Sequence, residues 1–509
     1  MTASIAYAGT SLSGDAVDAL VLRCAESMRR SGVDEGDAVA MLLRNEPRYL
    51  VVAKAARTIG AYAVPINWHY KADEVGYIVR DSDAKLLLAH ADLLGAVADG
   101  LPEGPPVVSL DPPPALRALE GDAGPPGAAS AVAWDRWLSA EPYAGPAAAP
   151  RSSMGYTSGT TGRPKGVRRG AMTPEHLARV AAVNAVAFGL RPGARVLVAT
   201  PLYHSAPNVY ALNALMTGEL LAIEPRFDAE RTLALIESLR ISHLYLVPTL
   251  MHRLLRLPEA TRAAHDLSSL DFVLHGAAPC PPDVKRSMIA WWGPVVHEFY
   301  GGSEAGPIAA IDSADWLRKP GSVGRPLPHA RLLIADADGR AVERGATGTI
   351  YLEQGAYPPF TYHRRPDLRD ACAHPEDDAL FTLGDVGRLD DDGFLFISDR
   401  SKDMVISGGV NVYPAEIEAT LASMPGVRDS AVFGVPDEEY GESLMAVVEA
   451  EAGAAIDAPA VQAFLRERLA GYKVPRRVEF AAELPREESG KIFKRKLREP
   501  HWRDAGRSV

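Results

Sequence analysis

The stretch Met154–Arg169 reads MGYTSGTTGRPKGVRR. Gly159, Gly162 and Gly166 stand there among Thr157, Ser158, Thr160 and Thr161, with Lys165 as the neighbouring cation. Glycines let a backbone turn tightly so that its N–H groups converge, and hydroxyls and an ammonium add further donors, a combination suited to a polyphosphate. The spacing is not GxxxxGK[ST], so this is not the common P-loop, and the residues alone leave the reaction open. A flexible solvated loop is the plainer alternative; the concentration of donors weighs against it.

Around this loop lies a chain of 509 residues, 47% of them hydrophobic. That length and composition call for a large core and at least two domains. The formal net charge is -11 and no long basic run occurs, which argues against nucleic acid or an anionic membrane as main partner and favours small-molecule chemistry. No basic leader with an apolar core opens the chain and no apolar run is long enough to span a bilayer, so a cytoplasmic place is expected. Cys24, Cys280 and Cys372 are scattered singly, which predicts buried thiols and neither a disulfide framework nor a zinc site.

Upstream, residues 15 to 100 alternate helical patterns with short apolar runs such as GDAVAMLLRN and AKLLLAHADLL, the texture of βα units and a covered parallel sheet. Pro and Gly crowd the segment from Leu101 to Arg151, which predicts a surface excursion without regular elements. Downstream, strands are predicted at ARVLVAT, HLYLVPT, DFVLHGAA and PVVHEFYGG, with a helix at DAERTLALIESLR. Asp228 would cap that helix, and Leu233, Ile236 and Leu239 share one face. Ligands of open α/β sheets sit beyond the carboxyl ends of strands, which singles out HGAAP and YGGSE. The last hundred residues read as a compact α+β unit with its own core, joined through Ser398–Met404 and ending in a basic tail.

Six further segments accompany the loop in order: PLYHSAP (Pro201–Pro207), HGAAP (His275–Pro279), YGGSEAG (Tyr300–Gly306), TLGDVG (Thr382–Gly387), DRSKDMVISGGVNVYPAEIE (Asp399–Glu418) and SGKIFKRKLR (Ser489–Arg498). Together they resemble the signature motifs of the adenylate-forming superfamily, which includes acyl-CoA synthetases, peptide-synthetase adenylation domains and beetle luciferases. The resemblance spans nearly the whole chain. It implies an α/β fold, with a large multi-subdomain N-terminal domain built on βα sheets over residues 1–399, a hinge at 400–402 and a small mobile α+β domain over 403–509. The implied substrates and cofactors are a carboxylic acid, ATP, Mg²⁺ and coenzyme A.

The same resemblance implies roles for individual residues. Thr157, Ser158, Gly159, Thr160, Thr161, Gly162 and Lys165 would cradle the β- and γ-phosphates. Glu304 would help hold Mg²⁺ and Ser303 would reach the α-phosphate, carboxylate and hydroxyl oxygens being what that hard ion accepts. Adenine would stack on Tyr300 and lie along Gly276, Ala277, Ala278 and Pro279, close to Gly301 and Gly302; those small residues equally suit close packing at a strand end. Asp385 would accept from the ribose hydroxyls, with Arg400 beside it. Lys491 would bridge carboxylate and α-phosphate in the first half-reaction, an ammonium offsetting the charge that builds there. Lys402 would be the pivot that then withdraws Lys491 and brings Gly408 and Gly409 to form a slot for the pantetheine arm. His204 would stand as a gate between acyl pocket and thiol tunnel, placed with the catalytic group but given no acid or base work. Lys494, Arg495 and Lys496 are expected to form a solvated face.

No aspartate stands near PLYHS to pair a substrate ammonium, which argues against an amino acid. Gly302 replaces a larger residue of many relatives and suggests room for a bulky, aromatic or polycyclic acid. Leu383 and the short segment before the first βα unit also depart from the family pattern. Three readings follow: an acyl-CoA synthetase, a ligase that loads a carrier protein, and a non-catalytic binder of nucleotide or acyl adenylate. The presence of Lys491, Glu304, Asp385 and Arg400 favours an enzyme. A homodimer is left open.

Overall fold

The computed structural model describes residues 2–120, 131–157, 163–277, 280, 282–400, 405–412, 414–421, 423–451, 453–485, 492 and 494–503. Among the described residues the N-terminal part has three sheets, of which the smallest joins Tyr156–Thr157, Lys165–Arg169 and Phe360–Tyr362 and the other two organise the rest. The first is five-stranded and parallel, in the order Tyr62–Pro65, Ala38–Leu42, Ala84–His90, Val107–Leu110 and Val132–Ala133. Ala38–Leu42 is buried at every position, as a parallel strand covered on both faces must be. The helix Gly14–Arg30 starts on the Ser13 side chain, which accepts from Ala16 N, and turns Val17, Val21, Cys24 and Met28 inward.

One expectation fails in this sheet. Val107–Leu110, Val132–Ala133 and the helices Pro114–Glu120 and Trp134–Trp137 are regular elements inside the Pro-rich segment. The prolines flank these elements without interrupting them: VVSL lies between two proline clusters and pairs with Ala84–His90, while Pro114 takes the first helical position, where a missing N–H is harmless.

The second sheet has 13 strands. Six of them run parallel, in the order Ser4–Tyr7, Leu220–Ile223, Arg195–Val198, His243–Leu246, Phe272–His275 and Val296–Gly302. The direction reverses at Gly306–Ile311, and the strands from there to Ala330–Ala335 pair antiparallel. All four strands predicted here form. The helix Ala229–Ser238 starts at Asp228, whose side chain accepts from Arg231 N; Leu233 and Ile236 are buried, and Leu239 is the C-cap.

Sheet membership changes between Arg400 and Val405. From Val405 onward a separate five-stranded sheet packs against the helices Pro414–Leu421 and Ala458–Arg468, around Val405, Ile417, Leu421, Val432, Leu444, Val461 and Leu465. The basic tail is a helix, Lys494–Trp502, and Lys494 is not part of a solvated face. Leu497 packs on the core and Trp502 Nε1 donates to Gly434 O at 3.0 Å, so one apolar side docks the helix. Lys494 Nζ lies 2.7 Å from Glu418 Oε1, whereas Lys496 is exposed as expected.

The C-terminal unit touches the rest through polar contacts, among them an exposed Arg253–Glu439 pair at 3.2 Å and a buried cluster. Lys473 Nζ lies 2.7 Å from Glu74 Oε1 of the first part and 2.7 Å from Glu416 Oε1 of its own, with Lys473 1% exposed. Next to it, Asn67 Nδ2 donates to Tyr472 OH at 2.9 Å. Cys24 is buried, while Cys280 and Cys372 are only partly so. Among the described residues no helix is long and apolar enough to cross a membrane.

Candidate active site

The carboxyl ends of the parallel strands open onto one cavity of about 2040 Å³, which also reaches the C-terminal unit. On one side Tyr300 and Asp385 line it, held on the strands Val296–Gly302 and Phe381–Leu389. Tyr300 OH donates to Asp385 Oδ2 at 2.6 Å, and the carboxylate is 2% exposed. The bond fixes the tyrosine ring and orients the carboxylate at the rim of the site. Arg400 pairs in register with Asp385 through its backbone. Ala277 lines the cavity with φ at 69°, a left-handed conformation that costs a non-glycine residue of order 1–3 kcal/mol. Gly276 serves packing: a Cβ there would lie 2.8 Å from Phe299 Cε1.

Glu304 stands beside Thr157, the last described residue before the glycine- and hydroxyl-rich stretch. Its Oε1 accepts from Thr157 Oγ1 at 3.2 Å and from Tyr362 OH at 3.1 Å. Lys165 Nζ lies over the Tyr362 ring, 5.2 Å from its centroid, and Ser303 Oγ is 2.7 Å from Ser205 Oγ. Arg169 was not singled out in the sequence, yet it donates to the Glu304 carbonyl and, at 2.6 Å, to Pro358 O. Burial pulls its pKa down to about 10, so it keeps its charge at neutral pH.

One carboxylate flanked by hydroxyls fits Mg²⁺, which keeps its waters and takes one or two carboxylates plus substrate phosphates. Among the described residues no group of three or more His, Cys, Asp or Glu could hold a metal unaided. An ion arriving with nucleotide phosphates would meet the Glu304 carboxylate, with Thr157 and Tyr362 beside it.

The C-terminal unit closes the other side. Gly408 and Gly409 line the cavity and join the paired strands Val405–Ser407 and Val410–Val412. Their φ angles are 59° and 80°, as a two-residue hairpin turn with both central residues left-handed demands. A Cβ on Gly409 would lie 3.2 Å from Val247 Cβ, across the gap between the two units. Nearby, His204 precedes the helix Ser205–Thr217, its ring 4.4 Å from that of Tyr203. Tyr472 reaches in from the C-terminal unit to a ring distance of 6.3 Å from His69. Burial, with the neighbouring His69, pushes the pKa of His204 down to about 4, and burial with Arg44 does the same to His69. Both are neutral at pH 7.

The room expected at Gly302 is filled. A Cβ there would lie 2.9 Å from Leu383 Cδ1, so the two departures from the family pattern compensate each other. Ser158, Gly159, Thr160, Thr161, Gly162, Ala278, Pro279, Lys402 and Lys491 lie outside the described residues, as does the side chain of Arg400. Sequence reading missed Arg169, Tyr362, Tyr472 and Lys473. Arg169 closes the quoted stretch and Tyr472–Lys473 precede a proline, but single polar residues carry no periodic signal.

The family profile described as "AMP-binding enzyme" matches residues 2–356, and that of the "AMP-binding enzyme C-terminal domain" matches residues 416–491. A feruloyl-CoA synthase of Amycolatopsis sp is 35% identical over 504 residues, 97% of this chain and 95% of that protein. The amide bond synthetase McbA from Marinactinospora thermotolerans superposes with a TM-score of 0.85 at 30% identity, over 98% of this chain and 97% of that one. MenE, the o-succinylbenzoate CoA synthetase of Bacillus subtilis, gives 0.81 at 26% identity for a double mutant bound with its product analogue OSB-NCoA, over 97% and 95% of the two chains. In complex with the acyl-adenylate intermediate OSB-AMP it gives 0.65 at 25% identity, over 99% and 96%. Acyl-CoA synthetases of this family use ATP, Mg²⁺ and coenzyme A. With both family profiles matched, the chain belongs to the adenylate-forming AMP-binding enzymes, in their acyl-CoA synthetase branch.

Proposed function

We propose that this enzyme activates a medium-to-large apolar, aromatic or polycyclic carboxylic acid as its acyl adenylate and passes the acyl group to coenzyme A. The observation that carries the reading is the meeting of two ends in one cavity: Tyr300–Asp385 and Thr157–Glu304 on one side, the Gly408–Gly409 turn on the other. In the first step a carboxylate oxygen attacks the α-phosphorus of ATP and pyrophosphate leaves. Lys165 and Lys491 offset the charge that gathers on the phosphates, Glu304 meets the metal that accompanies them, and Asp385 holds the ribose. In the second step a thiol enters past Gly409 and attacks the acyl carbonyl, and AMP leaves.

Residues 1–399 and 403–509 act in this reading as two bodies turning about 400–402, with Lys402 as the pivot. The change of sheet between Arg400 and Val405 supports it, as does the higher TM-score with the product-analogue form of MenE than with its adenylate form. The present arrangement is then that of the second step. A cytoplasmic place, where ATP and coenzyme A are both supplied, goes with this chemistry.

The test is pyrophosphate release by the purified protein with ATP and Mg²⁺ over a panel of fatty, aryl and polycyclic acids, each with and without coenzyme A. Acid-dependent release with thioester and AMP supports the reading. Release without thioester points to a carrier-protein thiol, and no release with any acid overturns it.

A further inference from the structure

The strand Tyr156–Thr157 is two residues long and stands at the edge of its sheet, paired on one side with Lys165–Arg169. Two rungs join them, Tyr156 with Gly166 and Thr157 with Lys165. So short an edge ladder is weak on its own. Yet Thr157 and Lys165 line the cavity and would meet the phosphates in the reading above. Side chains from outside the sheet fix the ladder.

They come from the helix Ala72–Asp81, which packs on the first sheet through Val75, Ile78 and Val79. Tyr156 OH donates to Asp81 Oδ2 at 2.7 Å, and Tyr77 OH donates at 3.1 Å to the carbonyl of Pro164, the residue before Lys165. Tyr77 and Asp81 are one helical turn apart, so both ties leave from one face of the helix. One holds the outgoing strand and the other the returning one. The Arg163 guanidinium lies 5.1 Å from the centroid of the Tyr77 ring, and a Cβ on Gly166 would lie 3.0 Å from Tyr156 Cζ, so both rings are packed as well as bonded. Burial and the Asp81 carboxylate raise the pKa of Tyr156 and of Tyr77; each phenol keeps its proton and donates. Neighbouring side chains of a strand point to opposite faces. With Tyr156 drawn to the helix, Thr157 turns to Glu304, whose Oε1 it meets at 3.2 Å.

We propose that Tyr156, Asp81 and Tyr77 are positioning residues for adenylate formation, holding Thr157 and Lys165 where the β- and γ-phosphates of Mg²⁺–ATP arrive and pyrophosphate departs. This rests on the acyl-CoA synthetase reading and adds to it the support of the phosphate side. A hydrogen bond to a carboxylate is stronger than one to a neutral carbonyl. Tyr156–Asp81 is therefore the principal tie and Tyr77–Pro164 the lesser one.

The experiment compares the wild type with Tyr156→Phe, Tyr77→Phe, Asp81→Asn and Asp81→Leu. Mg²⁺–ATP binding is measured by titration calorimetry, adenylate formation by pyrophosphate release with an accepted acid, and the second step by thioester formation from supplied acyl adenylate, which carries no β- or γ-phosphate. Tyr156→Phe should weaken Mg²⁺–ATP binding and lower kcat/KM for ATP by about tenfold, leaving the KM of the acid and the rate of the second step as in the wild type. Asp81→Leu should match it, while Asp81→Asn, which keeps an acceptor oxygen, should recover most of the loss. Tyr77→Phe should move the same quantities by about threefold, and it carries the test should Tyr156→Phe not fold. A merely structural role would slow both steps together. Equal slowing of the two steps, or ATP binding and kcat/KM unchanged in both tyrosine variants, overturns the proposal and leaves the function standing. No binding of Mg²⁺–ATP by the wild type overturns both.

Discussion

Leu383 Cδ1 lies 2.9 Å from the point a Cβ on Gly302 would occupy, and Glu304 Oε2 lies 3.6 Å from it. The leucine and the glycine therefore share one volume beside the Glu304 carboxylate. Gly302→Met should overpack this place at a cost of about 1–3 kcal/mol in binding or stability. Leu383→Ala in the same chain should recover most of that loss. Steady-state kinetics of pyrophosphate release on the two single variants and the double variant measure the coupling; additive losses would show that the side chains do not compete.

Lys473 is the buried link between Glu74 and Glu416. Burial works against its charge, yet Tyr70, Glu74 and Glu416 hold its pKa above the ordinary lysine range. Lys473→Met leaves two buried carboxylates without their cation, a loss of about 3–5 kcal/mol for such a pair. In the two-body reading proposed above, that loss falls on the present arrangement. Thioester formation from supplied acyl adenylate should slow more than adenylate formation from acid and ATP; equal slowing would mark a general loss of stability.

The converse split is expected at Lys491. Lys491→Ala should remove most adenylate formation and leave thioester formation from supplied acyl adenylate less affected. Glu304→Ala should raise the Mg²⁺ concentration needed for half-maximal rate, and an unchanged requirement would take Glu304 out of the metal's surroundings.

Burial holds His69, His204 and His297 down at about 4 each. In the unfolded chain such groups titrate near 6.5. Between about pH 4 and 6.5 the unfolded state therefore binds more protons, so their share of stability is whole above that window and is lost as pH falls through it. Tm should be level from pH 7 to 8 and decline below about 6.5. A His69→Gln, His204→Asn double variant should show a shallower decline.

Much of the fold is written in local sequence. ARVLVAT, HLYLVPT and DFVLHGAA are short apolar runs bounded by turn residues, and each became a parallel strand whose carboxyl end faces the cavity. Asp228 capped its helix because that bond spans three residues. What stayed hidden depends on distance along the chain. Glu74 and Lys473 are 399 residues apart, and nothing near either one indicates the other. Leu383 reads as a departure from the family pattern without consequence until Gly302 is placed against it. The Lys494–Trp502 helix was masked by its own charge, since only Leu497 and Trp502 show the apolar side.

The ion bridge at Lys473 also says how the two bodies respond to their medium. Dissolved salt weakens attraction between charges that water reaches, and scarcely touches a pair enclosed by protein. With Lys473 1% exposed, ionic strength has little purchase on this bridge, and acts instead on the exposed Arg253–Glu439 pair across the same joint. In the two-body reading proposed above, opening of the buried bridge would be governed by heat and by what occupies the cavity, and only the exposed pair would answer to salt.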